Sequence, residues 1–313
     1  MKAFPVSVEE IALIKAELIT EYPEQMNYLS NEYIASVASK PYSKAPEQRR
    51  PIEYTTSKLL DLLAWREESG ATEVFELLEV SKMPPGEEGV DPVMYEKAQN
   101  LCTTLNGNSI YVHGMDKQGR PIIWLRTERK PWMINNIQAE VNLHILLSDV
   151  AIKMMPEGVT DFVVIADTSS VPPPSPSFLV ETLKGLVRGY PDRLHSLHSA
   201  PLGRVLHTVM SLLMPLMPGA LAPKLKLVQE KAEMTTLLAD ILLNGEADIP
   251  TFFGGPANHE VYYPATGIGK DVHVEKLGNG FLMFDFDGMM SRQAVAVAAF
   301  EAAREEKKEG GGD

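Results

Sequence analysis

The chain has 313 residues, of which 44% are hydrophobic and 23% are charged, and its formal net charge is −13. These are the values of a globular protein that can bury a core, and the acidic balance argues against nucleic acid as a partner, because phosphate binding needs clustered Lys and Arg. The single cysteine, Cys102, excludes a disulfide framework and a Cys-rich zinc site, and it fits a reducing compartment. We expect this thiol to be buried and structural.

The N-terminus shows no secretory signal, because residues 1–5 lead directly into Ser7, Val8 and two glutamates without an apolar run. We therefore expect a cytoplasmic protein that is peripheral on membranes. An organelle lumen is the alternative if a transit peptide has been cleaved.

The first hundred residues are predicted to be helical. Ser7 and Glu10 have the spacing of a capping box, which predicts an amphipathic helix that ends near residue 22. Asp91 and Pro92 predict the cap and first turn of another helix. The helices predicted after the first one cover residues 54–69 and 92–105, and no strand is predicted before Asn106.

From Asn106 the pattern alternates strands with helices, which predicts an α/β sheet with parallel pairs. The run at 161–167 is continuously apolar and ends in an acid, as is typical of a buried central strand. The other predicted strands cover residues 110–112, 121–125, 194–199 and 225–228. The predicted helices cover residues 133–154, a segment after the prolines at 172–176, a segment after 199 and a segment ending at Leu243.

The C-terminal part is predicted to be a β-hairpin followed by a disordered tail. Residues 271–276 and 281–286 alternate around an Asn-Gly turn. The tail at 305–313 is charged and rich in glycine, which favours disorder.

Residues 193–229 contain no Asp or Glu, although the chain as a whole is acidic. Within them, residues 205–222 form the most apolar segment, which Pro215 and Pro218 interrupt, so we reject a membrane-spanning helix. Arg204 and Thr208 belong to a polar side at helical spacing, which leaves a wide apolar face. Such a mildly cationic apolar patch suits reversible contact with an anionic membrane, and simple core packing is the alternative interpretation.

Several motifs, in order, resemble the CRAL-TRIO family, which includes the phosphatidylinositol and tocopherol transfer proteins. The resemblance covers about residues 106–259, with a weaker helical match upstream from about residue 59. It rests on GMDKQGRP at 114–121, DFVVIADTSS at 161–170, GYPDR at 189–193, Ala200-Pro201 before a gate helix, the return strand at 218–227 and FFGG at 252–255.

The resemblance implies a CRAL-TRIO α/β fold: a mostly parallel sheet is flanked by helices and forms a gated lipid cavity. An all-helical N-terminal segment precedes this domain. The implied domains are 1–105 (similar to the family's N-terminal module from about 54), 106–260 for lipid binding, and 261–313 for the hairpin and tail. The gate and cavity residues would be Val205, Leu206, Val209, Met210, Leu213, Met214 and Met217.

The implied function is non-catalytic binding and intermembrane exchange of a hydrophobic ligand, with a phospholipid favoured and no cofactor other than that bound lipid. The alternative is a lipid-binding fold used as a regulatory or scaffold module, or as an accessory subunit of a larger complex. In that case the N-terminal helices would bind a protein partner.

Head-group recognition is predicted from the family's inositol-lipid binders, which carry a base in the N-terminal helix motif, a Glu in the turn and a Lys after the gate. Here Glu67 stands at the first position with Arg66 beside it, Asp192 replaces the turn Glu, and Lys224 fits the last position within a residue. The further candidates for head-group or membrane contact are His195, Arg204 and Lys226.

No catalytic constellation is predicted, and we expect the protein not to be an enzyme. The D-x-D-G motif at Asp285 and Asp287 mimics a phosphotransferase, but too little chain follows it to complete such a site. His195 and His198 should lie on opposite faces of a strand. A zinc site that combines them with His207 is therefore rejected, and they would either contact a polar ligand or bond within the sheet.

Overall fold

The computed structural model describes residues 4–84, 88–129, 136–169, 181–182, 184–204, 208, 221–266 and 282–310. Its contacts divide the chain into two compact units. The first comprises Met1–Thr72 and Val180–Arg193, and the second comprises Glu73–Leu179 and Leu194–Asp313. No helix among the described residues is long and apolar enough to cross a membrane.

The first unit is built mainly from three helices, α1 (Val8–Glu21), α2 (Asn31–Ala38) and α3 (Ile52–Glu68). The predicted capping box begins α1: the Ser7 hydroxyl accepts the Glu10 N–H at 3.2 Å, and the Glu10 carboxylate accepts the Ser7 N–H at 2.9 Å. The core of this unit includes the buried side chains of Ile14, Leu18, Tyr33, Ile34, Leu59 and Leu62.

Two short strands in this unit correct the prediction of an all-helical N-terminal segment. Strands β1 (Pro41–Tyr42) and β2 (Ala45–Arg49) pair antiparallel, so the prediction that no strand precedes Asn106 is wrong. The middle of β2 is fully exposed and carries no apolar alternation. Only its pairing with β1 makes it a strand, and that pairing leaves no periodic signal in the sequence.

The second unit contains a five-stranded sheet with the order β3-β4-β5-β6-β7, in which β3 and β4 are antiparallel and the other neighbours are parallel. This confirms the predicted mixed α/β fold with a mostly parallel sheet flanked by helices. The elements are α4 (Val74–Ser81), α5 (Pro92–Asn106), β3 (Ile110–Met115), β4 (Pro121–Arg126), α6 (Ile137–Lys153), β5 (Phe162–Asp167), β6 (Leu194–Ala200), β7 (Leu225–Leu227), α7 (Lys231–Ile241) and α8 (Phe286–Gly310).

Local signals placed α5 and β5 correctly. The Asp91 carboxylate accepts the Val93 N–H at 3.2 Å at the start of α5, as the cap motif predicts. Strand β5 is buried along its whole length. Cys102, in α5, is fully buried, and burial raises the pKa of its thiol to about 11, which confirms a structural thiol.

The C-terminal prediction is wrong where the structure describes it. Leu282–Asp285 contain no strand, and α8 begins at Phe286 and continues to Gly310, through most of the expected disordered tail. Asp285 caps the start of α8: its carboxylate accepts the Gly288 N–H and an Arg292 N–H, both at 3.0 Å. The first predicted hairpin strand and its turn lie outside the described residues, as do residues 170–180 and 183 around the helix predicted after the prolines. Residues 181, 182 and 184 of that segment are helical, as predicted.

Candidate functional site

One face of the sheet is almost entirely apolar and is only partly covered. Register partners in parallel strands direct their side chains to the same side, so two rows cross four strands. Leu125, Leu197, Leu225 and Leu227 are half-buried, and the only polar side chain in the two rows is a serine. The rows are Ile123, Val164, Leu197, Leu225 and Leu125, Ala166, Ser199, Leu227. We call these eight residues the apolar face, and it is suited to contact hydrocarbon.

The opposite face is packed against other parts of the second unit. The Trp124 ring meets the rings of Phe252 and His259 edge-on, with centroids 5.9 and 5.1 Å away. The Arg126 guanidinium lies 3.8 Å from the centroid of Phe252. Lys231 Nζ lies 3.6 Å from the buried Asp167 carboxylate. A ligand on the apolar face is therefore separated from this aromatic and ionic layer by the sheet.

The two predicted strand histidines differ in burial, and His195 stands at a register shift between β5 and β6, so alternation along β6 does not decide its face. His195 is exposed, and its Nδ1 lies 3.2 Å from the Asp161 carboxylate. His198 is buried, with Nε2 2.8 Å from the Ser196 hydroxyl, and burial lowers the pKa of His198 to about 4. Both therefore bond within the protein.

The rejected zinc site would have combined these two histidines with His207. His207 lies outside the described residues, and within the described part of the chain no three His, Cys, Asp or Glu side chains converge on a metal position.

The predicted gate begins at the carboxyl end of β6. Arg204 is exposed and helical, and the Thr208 hydroxyl donates to its carbonyl at 3.0 Å, four residues back. The predicted gate and cavity residues Val205, Leu206, Val209, Met210, Leu213, Met214 and Met217 lie outside the described residues.

The turn at Asp192 belongs to the first unit and is held by two bases that the sequence did not single out. Asp192 adopts a left-handed backbone conformation with φ 62°. Its carboxylate forms a short ion pair with Arg50 and lies 3.4 Å from Lys58 Nζ. Arg50 also donates to the Val37 carbonyl at 3.0 Å. Asp192 is therefore neutralised inside its own unit.

Aromatic contacts complete this turn. The Tyr33 hydroxyl donates to the Pro191 carbonyl at 2.6 Å, and the Arg193 guanidinium lies 3.4 Å from the centroid of the Tyr33 ring. Burial raises the pKa of Tyr33, so its hydroxyl keeps its proton and serves as a donor. The turn is thus packed into the core of the first unit.

The remaining predicted contact residues fall into two groups. Arg66 is buried, with its guanidinium 3.6 Å from the centroid of Tyr28, and Lys224 is half-buried and donates to the Leu194 carbonyl. Lys226 is exposed on β7, at the edge of the sheet. Of the three basic candidates, only Lys226 presents its side chain freely to a surface.

The comparison with known protein families agrees with this α/β fold. Residues 105–255 match the family model described as the CRAL/TRIO domain, and α8 lies beyond this match. A search of curated proteins found no match. Among solved structures, the chain is similar to "Crystal structure of Sfh5", with 15% identity and a TM-score of 0.48, over 73% of this chain and 84% of that chain.

Proposed function

The chain belongs to the CRAL-TRIO family, whose members bind and transfer lipids and other hydrophobic ligands, and on this premise we propose that it binds a phospholipid and exchanges it between membranes without catalysis. We propose further that it does so on the cytoplasmic side of those membranes.

The partly covered apolar face carries this proposal. Its rows span four strands spaced about 4.8 Å apart, and seven of its eight side chains are apolar. Burial of one methylene contributes about 0.8 kcal/mol, so a single acyl chain gains roughly 10 kcal/mol or more on leaving water. A ligand of that kind needs a cover during transit.

The chain between β6 and β7 supplies the cover in this proposal. A connection between parallel neighbours has to return across one face of the sheet, and the packing of Trp124, Phe252 and His259 occupies the other face. We propose that residues 205–220 cross the apolar face as a gate that opens where a bilayer replaces water. Their methionines suit a surface that repacks between two environments.

The head group in this proposal is not required to be inositol. A phosphoinositol group needs charge-assisted donors at fixed positions. Arg66 stacks on Tyr28, Asp192 pairs with Arg50, and Lys224 donates to a backbone carbonyl. Exposed Lys226 and Arg204 remain for contact with an anionic membrane surface, and they stand in the segment that has no acid.

The test combines native mass spectrometry of the purified protein, extraction of any bound lipid, and transfer of a fluorescent phospholipid between vesicles. Leu197→Trp fills the apolar face and should abolish both lipid content and transfer, and Leu225→Trp is a second variant at the same surface. Leu13→Trp is the matched control, because Leu13 is 61% exposed on α1. An empty wild-type protein that takes up no lipid from vesicles contradicts the proposal.

A second candidate function is an interaction module, and exposed apolar side chains on α1 favour it. Val8, Leu13 and Ile19 are 78%, 61% and 48% exposed. A transfer protein has to release its lipid to acceptor vesicles, whereas a module can retain it. Stoichiometric lipid without release to acceptor vesicles is the result that selects this second function.

A further inference from the structure

A cavity of about 610 Å³ lies on the side of the sheet opposite to the apolar face, within the second unit. Ile122 and Trp124 of β4 line it, and these alternate with the apolar-face residues Ile123 and Leu125. Its other wall comes from α8, which lies beyond the matched domain. The cavity is therefore distinct from the proposed phospholipid site. The wall residues on α8 include Val295, Ala296, Ala299 and Phe300.

The α8 wall is anchored at several points along its length. Met289 is fully buried, and its Sδ accepts the Val112 N–H at 3.4 Å. The Gln293 side chain donates to the Gly114 carbonyl at 3.2 Å. Gly119, with φ 80°, lies so close to Phe300 that a Cβ there would be 2.5 Å from the ring. The cavity is thus pre-formed between a helix and a hairpin, which lowers the entropic cost of binding.

The polar groups of the cavity gather around Arg292. Its guanidinium lies 4.7 Å from the centroid of Tyr262, and Nη1 donates to Asp285 at 3.0 Å. The rings of His113 and His259 also line the cavity, with centroids 4.5 Å apart. Burial lowers the pKa of these histidines to about 4 and about 3, so both are neutral at pH 7 and Arg292 is the permanent cation.

The acid that lines the cavity, Asp248, has both carboxylate oxygens occupied. They accept the backbone N–H and the side-chain amide of Asn244 at 3.0 to 3.1 Å. An incoming anion therefore meets Arg292, which pairs with Asp285 through Nη1, and Asp248, whose two carboxylate oxygens already accept hydrogen bonds.

We propose that this cavity binds a single-chain carboxylate, a fatty-acid-like ligand, with its hydrocarbon against Trp124 and the α8 wall and its head beside Arg292. The volume lies in the range of small-molecule sites, which combine apolar walls with few polar groups. A guanidinium matches a carboxylate in both charge and geometry. This proposal does not depend on the phospholipid function, and either can fail alone.

The experiment titrates the full-length protein, as purified, with dodecanoate and counts bound ligands by native mass spectrometry and calorimetry. Ala299→Trp fills the cavity and should weaken one dodecanoate site at least tenfold, and Ala296→Trp should do the same if the first variant folds poorly. Ala298→Trp is the control, because Ala298 is exposed on the same helix and does not line the cavity. Equal binding by the cavity-filling and control variants overturns the proposal.

Dodecanol tests the role of the charge. We expect dodecanoate to bind this site at least tenfold more tightly than dodecanol at neutral pH, and Arg292→Gln to abolish the preference. Asp285→Asn also removes the ion pair between Arg292 and Asp285 but keeps the cation, so this variant should still prefer dodecanoate to dodecanol. Equal affinity for the alcohol and the carboxylate in the wild type contradicts the assignment of Arg292.

Discussion

Replacing Asp192 by asparagine removes one negative charge from the first unit and keeps the size of the side chain. Asparagine also tolerates the left-handed conformation that Asp192 adopts at φ 62°. Asp192→Asn therefore isolates the electrostatic role of the carboxylate from backbone strain. The question is whether Asp192 holds the turn or binds a lipid head group.

The expected cost follows from burial. The side chains of Arg50 and Asp192 are only 10% and 12% exposed, and removing one partner of a buried ion pair costs about 3–5 kcal/mol. Arg50 keeps its bond to the Val37 carbonyl and an asparagine still accepts, so we expect about 2–3 kcal/mol for Asp192→Asn. Lys58 is more exposed, 3.4 Å away, and burial lowers its pKa, so Lys58→Met should cost about 1 kcal/mol or less.

The assay is urea unfolding followed by hydrogen exchange of the peptides that cover α2 and residues 185–193, because two units need not unfold together. The double variant Arg50→Met with Asp192→Asn should be less destabilised than the sum of the single variants, by at least about 1 kcal/mol. Unchanged exchange in Asp192→Asn together with altered lipid selectivity would refute the structural role and favour head-group binding.

Three further predictions concern the second unit. The folded pKa of His198, about 4, lies below the ordinary value of 6.5, so the unfolded state binds a proton first and stability falls as pH drops from 6.5 towards 4. His198→Leu should reduce the dependence of the free energy of unfolding on pH by about 1.4 kcal/mol per pH unit, as measured by urea unfolding between pH 6 and 4.5. An unchanged pH dependence would contradict the lowered pKa of His198. Lys226→Ala should weaken binding to anionic vesicles about fivefold, because one lysine near such a surface contributes roughly 1 kcal/mol to the binding free energy. Lys97→Ala makes the same charge change elsewhere and should have little effect, and equal losses in both variants would mean that only net charge matters. Gly119→Ala should lower the free energy of opening of α8, measured by hydrogen exchange, by about 1–2 kcal/mol, because the added methyl group contacts Phe300 and strains a backbone at φ 80°. Adding Phe300→Ala should recover part of this loss. If nothing is recovered, backbone strain accounts for the whole loss.

The elements that depend on local signals could be predicted from the sequence. The capping box at Ser7, the Asp91 cap and the continuous apolar run of β5 each placed an element where the structure has it. These signals act within one or two turns of chain, where backbone hydrogen bonding and side-chain periodicity decide the conformation. The ordered family motifs likewise predicted the α/β fold, which the match over residues 105–255 supports.

The contacts between distant segments could not be predicted from the sequence, because they arise only in the folded chain. Arg50 and Asp192 are separated by 142 positions, and nothing near either residue marks the other as its partner. The two ends of helix α8 were predicted to be a strand and a disordered tail. The prediction failed because the helix is stabilised by packing of Met289 and Phe300 against the β3–β4 hairpin, which no local signal shows. The cavity beside Arg292 exists only where that helix meets the sheet, since a pocket forms between two surfaces that one segment of sequence does not contain.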